Sequence, residues 1–425
     1  MAQEKHHQIV IIGGGTGGIM TAAQLLRKRK SLDIAIIEPS DKHYYQPAWT
    51  LVGAGTYSWE KTIRPEASVM PKEVTWIKDY ATAIEPDENY VDTQSSGKIT
   101  YDYLVAAPGI QIDLDGIEGL KEAMGTHNVC SNYVDPNYTW ELLQEFKGGN
   151  AIFTQPTTPI KCGGAPQKIM YLFADYVRKN NMADKTNILF ATPGSVIFGV
   201  EEFANTLLQV VDRYNISLKL FSAPVKIDGP NRKVYFKHMG DSAEQSKTTS
   251  PDGNRFEENM VEEGLVEMPY DFLHLAPPQS APDFVKHSKI AHQEGPSKGW
   301  INVNINTLKH NEYDNVFALG DAAALPTAKT GAAIRKQAPV LVENLLHTID
   351  NDKKFNEGYS GYSSCPLVTG YGKMLLAEFD YENKPMSDPL LKRLMNIFKE
   401  HWRMWILKKY GLPYLYWNMM MKGRM

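Results

Sequence analysis

The stretch from Ile9 to Glu38 constrains this chain more than any other. Ile9-Val10-Ile11-Ile12 is a short β-branched run, and Gly13-Gly14-Gly15-Thr16-Gly17-Gly18 follows it directly. Ile19 to Lys28 then carries a helical pattern, and Asp33 to Ile37 reads as a second strand ending on Glu38. Gly13, Gly15 and Gly18 stand in G-x-G-x-x-G spacing, and each has a task in a dinucleotide site. The first permits a tight turn. The second lets backbone N–H groups reach a pyrophosphate at the helix N-terminus. The third lets helix and strand pack closely. Glu38 is placed to accept hydrogen bonds from a ribose. A glycine-rich loop without a ligand explains neither the strand–turn–helix context nor the acid.

At 425 residues the chain exceeds one ordinary domain, so two or three packed units are expected. A formal charge of -4 gives no general attraction to nucleic acid. No apolar run reaches transmembrane length. Met1 to Gln8 is polar and the first strand begins at Ile9, so no cleavable signal or transit peptide is expected in this chain. The 3 cysteines are too few for a disulfide scaffold and lack C-x-x-C spacing, so no metal site is expected.

Past Glu38, the run from Asp41 to Gly55 is dense in aromatic residues and includes Gln46. It either lines a cofactor or plugs a core. Val74 to Ala83, with Ala81 near its end, reads as a strand, and Tyr90 to Tyr103 as a hairpin. A buried strand then closes on Ala107-Pro108-Gly109. Gly149 to Thr154, Pro166 to Lys179, Asn187 to Thr192 and Glu201 to Tyr214 repeat the strand–helix rhythm of the first unit. Where this second unit needs its own glycine fingerprint, the chain reads Thr192-Pro193-Gly194-Ser195-Val196-Ile197-Phe198-Gly199. Val196, Ile197 and Phe198 would crowd a pyrophosphate. His238 to Glu267 reads as a surface hairpin or mobile loop. Asp271 to Ala276 is a strand back towards the first unit, and Asn315 to Asp321 is a strand ending in Gly-Asp, with a helix from Gly331 to His347. The predicted class is α/β, with two Rossmann-like dinucleotide-binding-type domains, only the first with a working fingerprint, and a C-terminal membrane-facing segment. The divisions fall at 1–113, 114–283, 284–350 and 351–425, the first and third forming one domain.

Cys162 sits in Lys161-Cys162-Gly163-Gly164-Ala165-Pro166, just before a helix. The helix dipole, Lys161 and Lys168 all favour its thiolate. Cys365 opens a strand, and its local sequence does not separate a reactive thiol from a buried apolar one. Cys130 is most simply structural.

Taken together, the stretches IVIIGGGTGGIMTAAQLL, IIEPSDKHYYQPAWTLVGAG, IKCGGAPQKIMYL, ALGDAAALPTAKTGAA, SSCPLVTGYGKMLLAEFDY and LPYLYWNMM resemble the sulfide:quinone oxidoreductases, of the branch that includes the mitochondrial enzymes. They span nearly the whole chain. The resemblance implies FAD on Gly13, Gly14, Gly15, Thr16, Gly17, Gly18 and Glu38, with Gln46, Ala81, Ala107, Pro108, Gly109, Asp321, Lys329, Thr330 and Gly331 as further contacts. It implies that Cys162 and Cys365 are the redox pair. Sulfide attacks their disulfide or sulfur-bridged form, a persulfide and a thiolate result, and two electrons pass through FAD to a quinone. The persulfide sulfur then goes to an acceptor such as a small thiol or sulfite. Some relatives carry a glutamate where this chain has Lys168, and a lysine is suited to attracting the hydrosulfide anion rather than acting as that base. Some relatives also use a third cysteine, a role open to Cys130.

Leu391, Leu394, Met395, Phe398, Trp402, Trp405 and Ile406 recur at helical spacing among Lys and Arg, the composition of an interfacial helix. The alternative is a helix packed on its own core or on a second subunit. The expected protein is peripheral, on the cytoplasmic side of a membrane or on an organelle inner membrane, and a homo-oligomer is possible. Tyr371, Phe379, Tyr414 and Trp417 are quinone-lining candidates. Two rivals stand beside this reading. One is a type II NADH:quinone oxidoreductase or disulfide reductase, which needs the missing second fingerprint. The other is a non-catalytic flavin-bound sulfide sensor or carrier, which makes no use of the basic aromatic tail.

Overall fold

The computed structural model describes residues 5–352, 354–386 and 396–425. The first apolar run forms the strand Lys5–Ile12 within a 7-stranded sheet, between Ile34–Ile37 and Lys98–Ala106. Both pairings are parallel, with Ile9 opposite Ile34 and Tyr103, and Ile12 opposite Ile37 and Ala106. Parallel strands covered on both faces require unbroken apolar runs, and Ile9 to Ile12 and Ile34 to Ile37 are all buried. Thr75–Ile77 extends the sheet past Ile34–Ile37. The first half of Lys98–Ala106 pairs antiparallel with Tyr90–Thr93, and its second half pairs parallel with Val316–Ala318. A strand from far down the chain therefore completes the first unit. Helix Thr16–Lys28 packs against helix Gly331–Ile349.

The second unit is built on a 5-stranded parallel sheet in the order Val129–Cys130, Phe272–Leu275, Gly149–Thr154, Thr186–Ala191, Ile216–Lys219. Helices Ala165–Lys179 and Glu201–Arg213 cross over between its strands. Their ends carry the residues that helix termini favour: Pro166 in the first turn and Arg178 and Lys179 in the last of one, Glu201 and Glu202 in the first and Arg213 in the last of the other. The two-unit α/β architecture is the one the sequence predicts. The segments joining the units, Gln111–Ile112 and Gln279–Ser280, pair with each other.

Of the two readings of His238 to Glu267, the hairpin is present. Asn259–Glu262 and Leu265–Pro269 pair antiparallel and join Ser222–Asp228 and Lys233–His238 in a 4-stranded sheet. The run looked loop-like because Asn259–Glu262 is an edge strand with every residue exposed.

Beyond residue 351 the chain ties both units together. Strands Ser363–Gly370 and Lys373–Phe379 form a hairpin whose Leu367, Val368, Met374 and Leu375 join the core of the second unit beside Tyr171 and Leu172. The last residues, including Tyr416, Trp417, Met420 and Met421, join the core of the first. Leu391, Leu394 and Met395 of the expected interfacial helix lie outside the described residues.

Candidate active site

The glycine turn has the shape its spacing predicts. Gly13 has φ +97°, and a Cβ there would stand 2.3 Å from the carbonyl oxygen of Ala107. A Cβ at Gly18 would fall 1.9 Å from the carbonyl oxygen of Gly13, so the helix leaves the strand as closely as backbone allows. A Cβ at Gly15 would meet nothing within 4 Å, leaving open space ahead of the helix N-terminus where a pyrophosphate fits. Glu38 accepts from the N–H of Gly14 at 2.7 Å and of Ser40 at 2.8 Å. Its carboxylate thus braces the turn and still has lone pairs for a ribose. Burial is the main influence on Glu38 and raises its pKa. Ile77 rather than Ala81 meets this end of the sheet, accepting from the Glu38 N–H, while Ala81 pairs with Thr93 in the meander. These residues fit a dinucleotide such as FAD.

Both cysteine segments converge on Lys329 and Thr330. The N–H of Cys162 donates to the carbonyl of Lys329 at 2.6 Å. Thr330 caps helix Gly331–Ile349, accepting from Ala333 N–H, and its hydroxyl meets that of Ser363 at 2.9 Å. Ser363 opens the strand that carries Cys365. Cys162 itself adopts φ +53°, a left-handed conformation rare for residues with a Cβ. Tyr133 holds that loop from behind, its hydroxyl donating to the carbonyls of Lys161 and Cys162 at 3.1 and 3.3 Å. Cys365 lies over the next turn, where a Cβ on Gly164 would stand 2.6 Å from its Sγ. Gly164 is what allows the second sulfur to approach the helix start.

The two sulfurs are in hydrogen-bond contact, and the Nζ of buried Lys168 is 2.8 Å from Cys162 Sγ. The hydrogen bond from Cys365, aided by Lys168, holds Cys162 well below the ordinary thiol range, while the same bond and burial push Cys365 well above it. Burial opposes the charge of Lys168, but the two sulfurs outweigh it and raise its pKa. A buried lysine retains its charge when paired in this way. More cations surround the pair. Lys161 Nζ bonds Gln46 Oε1. Lys329 Nζ donates to the carbonyls of Asp321 and Ala323 at 2.6 and 3.1 Å, and burial lowers its pKa to about 8. Lys408 Nζ donates to the carbonyl of Pro47 at 2.8 Å, and burial with the neighbouring Lys168 lowers its pKa to about 7. The result is a cluster of lysines around the paired sulfurs, with the buried carboxyl of Asp321 beside Lys161 and Lys329, an arrangement suited to a small anion. Among the described residues no His, Cys, Asp and Glu group is arranged to hold a metal. Cys130 stands apart in a sheet strand, fully buried, where burial raises its pKa.

Comparison with known proteins gives the family. Residues 7–142 match the model of the pyridine nucleotide-disulphide oxidoreductases. The chain is 39% identical over 422 residues to the mitochondrial sulfide:quinone oxidoreductase of Mus musculus, covering 99% of this chain and 87% of that protein. It is 40% identical to the mitochondrial enzyme of that name from Dictyostelium discoideum, covering 98% and 86%. The chain belongs to the sulfide:quinone oxidoreductase family. Its fold matches that of the Aquifex aeolicus sulfide:quinone oxidoreductase with TM-score 0.74 at 23% identity, covering 97% of this chain and 92% of that one.

Within this family frame, the remaining site candidates separate. Phe379 packs edge-on against Phe198 at 6.0 Å, near the Cys365 end of the hairpin. Tyr371 lies at the opposite end, its hydroxyl donating to the carbonyl of Ala54. Tyr414 is 64% exposed, whereas Trp417 is buried with His43 and Tyr45 under the guanidinium of Arg64. The structure therefore does not gather these four into one pocket. In the second unit, Ile197 is buried in the core and Phe198 packs on Phe203, while Val196 is exposed, so the three side chains do not crowd the turn together as expected, and what Thr192–Gly199 lacks is the G-x-G-x-x-G spacing a nicotinamide site needs.

Sequence reasoning missed Tyr133 and Lys408. Tyr133 is far from both cysteines in the chain and carries no motif. Lys408 reads as one basic residue of an amphipathic helix. It faces inward because Trp402–Ile406 and Leu412–Asn418 are joined by a π-turn, Leu407–Gly411, an irregularity common at functional sites.

Proposed function

We propose that this protein oxidises sulfide at Cys162 and Cys365 and passes the electrons, through FAD, to a membrane quinone. The observation that carries this reading is the cysteine pair beside Lys168, anchored to Lys329 and Thr330 at the start of helix Gly331–Ile349. FAD on the glycine turn supplies a two-electron acceptor. The chain's own residues do the sulfur chemistry. Lys168, Lys161 and Lys408 draw hydrosulfide to the disulfide form of the pair. Hydrosulfide attacks one sulfur, the S–S bond breaks, and the other cysteine leaves as a thiolate. Lys168 neutralises that thiolate. A nucleophilic acceptor, a small thiol or sulfite, removes the outer sulfur of the persulfide. The pair returns to the disulfide as it gives up two electrons. The missing glycine fingerprint at Thr192–Gly199 speaks against a nicotinamide donor.

The membrane surface is the exposed side of the C-terminal helix. Trp402, Ile406, Tyr410 and Tyr414 are 62%, 47%, 62% and 64% exposed. They step by four residues, and a helix of about 3.6 residues per turn drifts off such a line. The π-turn takes up the excess and keeps them on one side. Lys399, Arg403 and Lys409 accompany them, the pairing of apolar and basic groups that suits an anionic lipid surface. No described helix is long and apolar enough to cross a membrane. Phe398 and Trp405, grouped with Trp402 by their spacing, turn instead to the core of the second unit.

Anaerobic mixing with sulfide, then with a quinone, tests the reading. Sulfide should bleach the flavin, and quinone should restore it over many cycles. Reduction by sulfide without reoxidation by quinone would favour a sensor or carrier, and rapid bleaching by NADH would favour the nicotinamide-linked alternative.

A further inference from the structure

The end of the chain does more than face a membrane. Tyr416 is buried, and its hydroxyl lies 2.8 Å from the Oγ1 of Thr16 in the glycine turn and 2.6 Å from Nε2 of His43. His43 Nδ1 is 3.2 Å from Oε2 of Glu66. With Nδ1 protonated towards Glu66, Nε2 accepts from Tyr416, and the tyrosine oxygen accepts from Thr16. Every link in this chain then has one donor and one acceptor. The other oxygen of Glu66, Oε1, is buried without a protein partner among the described residues. It lies 2.8 Å from where a Cβ on Gly14 would stand, on the same glycine turn that Glu38 braces. A buried carboxylate oxygen left unpaired is costly, and this one is aimed at the dinucleotide turn.

From this juxtaposition we propose that the C-terminal segment is part of the cofactor site, with Tyr416 a positioning residue for Thr16 at the pyrophosphate end and Glu66 Oε1 an acceptor for the bound dinucleotide or its water. The proposal rests on the reading that FAD occupies the glycine turn. Docking of residues 412–425 and retention of FAD are then linked, each strengthening the other by the same factor. Gly423 supports the docking, because a Cβ there would stand 2.7 Å from the backbone of Ala23 in the helix that begins at Thr16.

The test uses the purified holoenzyme. Flavin release on dilution is followed by fluorescence, and hydrogen exchange is measured in 412–425 and 16–28. Tyr416→Phe removes only the hydroxyl. It should speed flavin release about tenfold, the effect of one or two buried hydrogen bonds, and raise exchange in both segments. Thr16→Ser should keep the slow release and Thr16→Val should lose it. This second pair decides the matter if Tyr416→Phe yields no holoenzyme. Flavin release from Tyr416→Phe at the wild-type rate, even with a loosened tail, would reduce Tyr416 to a core tyrosine and overturn the proposal. Equal release rates for Thr16→Ser and Thr16→Val would also overturn it. Wild-type protein that holds no flavin would instead remove the underlying reading, and this inference with it.

Discussion

Cys162 differs from the other two cysteines in what surrounds its sulfur. Lys168 and the thiol of Cys365 both stabilise its thiolate, whereas Cys130 is sealed in a sheet strand. In the reduced protein, alkylation of Cys162 should therefore persist well below pH ~8.5, where a free thiol loses reactivity. Lys168→Met removes the cation, raises the thiol pKa and should move that profile to higher pH, as read by iodoacetamide labelling and peptide mass spectrometry. Lys408 predicts a pH effect of the other kind. Its charge is present below about pH 7 and is lost above it. The pull on hydrosulfide should weaken as pH rises through that value, and Lys408→Met should flatten this alkaline decline in the rate of sulfide-driven flavin reduction. Cys130→Ser should retain most turnover, because that sulfur is sealed in a sheet strand rather than beside Lys168. A large loss of turnover would restore a third cysteine to the mechanism.

At the scale of elements, the C-terminal helix has two sides that its spacing alone does not separate. Its outer line of Trp402, Ile406, Tyr410 and Tyr414 is free to meet lipid, while Lys408 and Trp405 face the protein. Replacing Trp402 and Tyr414 with serine removes apolar area worth about 25 cal/mol per Å² on transfer from water. Binding to anionic vesicles should fall strongly, with sulfide-driven flavin reduction unchanged, in a flotation assay paired with flavin absorbance. Deleting residues 412–425 is a poorer test, since Tyr416, Trp417, Met420 and Met421 belong to the core of the first unit. Local chemistry made some elements legible. Gly13, Gly18 and Glu38 act within one strand–turn–helix, so their spacing suffices. Cys162 was legible from the two glycines and the helix that follow it. Cys365 was not, because its role depends on Ser363 meeting Thr330 across the fold, which no local pattern encodes. Lys408 was hidden because a π-turn breaks the regular period on which a helical reading depends.

At the scale of the whole molecule, the first unit carries the glycine turn, the second carries Cys162, and the last segment brings Cys365 and the exposed aromatic helix to both. Glu38 sits where that arrangement begins. Glu38→Ala should weaken FAD binding by roughly 1–3 kcal/mol, the cost of leaving buried hydrogen-bonding groups unpaired, measured by flavin release from the holoenzyme. Near-normal flavin retention would move the ribose contact elsewhere. In the proposed reaction Cys162 and Cys365 together carry electrons from sulfide to the flavin. Serine at either position cannot form a persulfide or a stable thiolate-like anion, yet it leaves the glycine turn, Glu38 and Asp321 intact. The direct measurement is anaerobic stopped-flow reduction of the bound flavin by sulfide, followed by quinone, in wild type, Cys162→Ser and Cys365→Ser. All three should carry FAD. Wild type should bleach and recover repeatedly, and both variants should lose turnover by orders of magnitude. Near-normal turnover in either flavin-loaded variant would rule out the two-cysteine route.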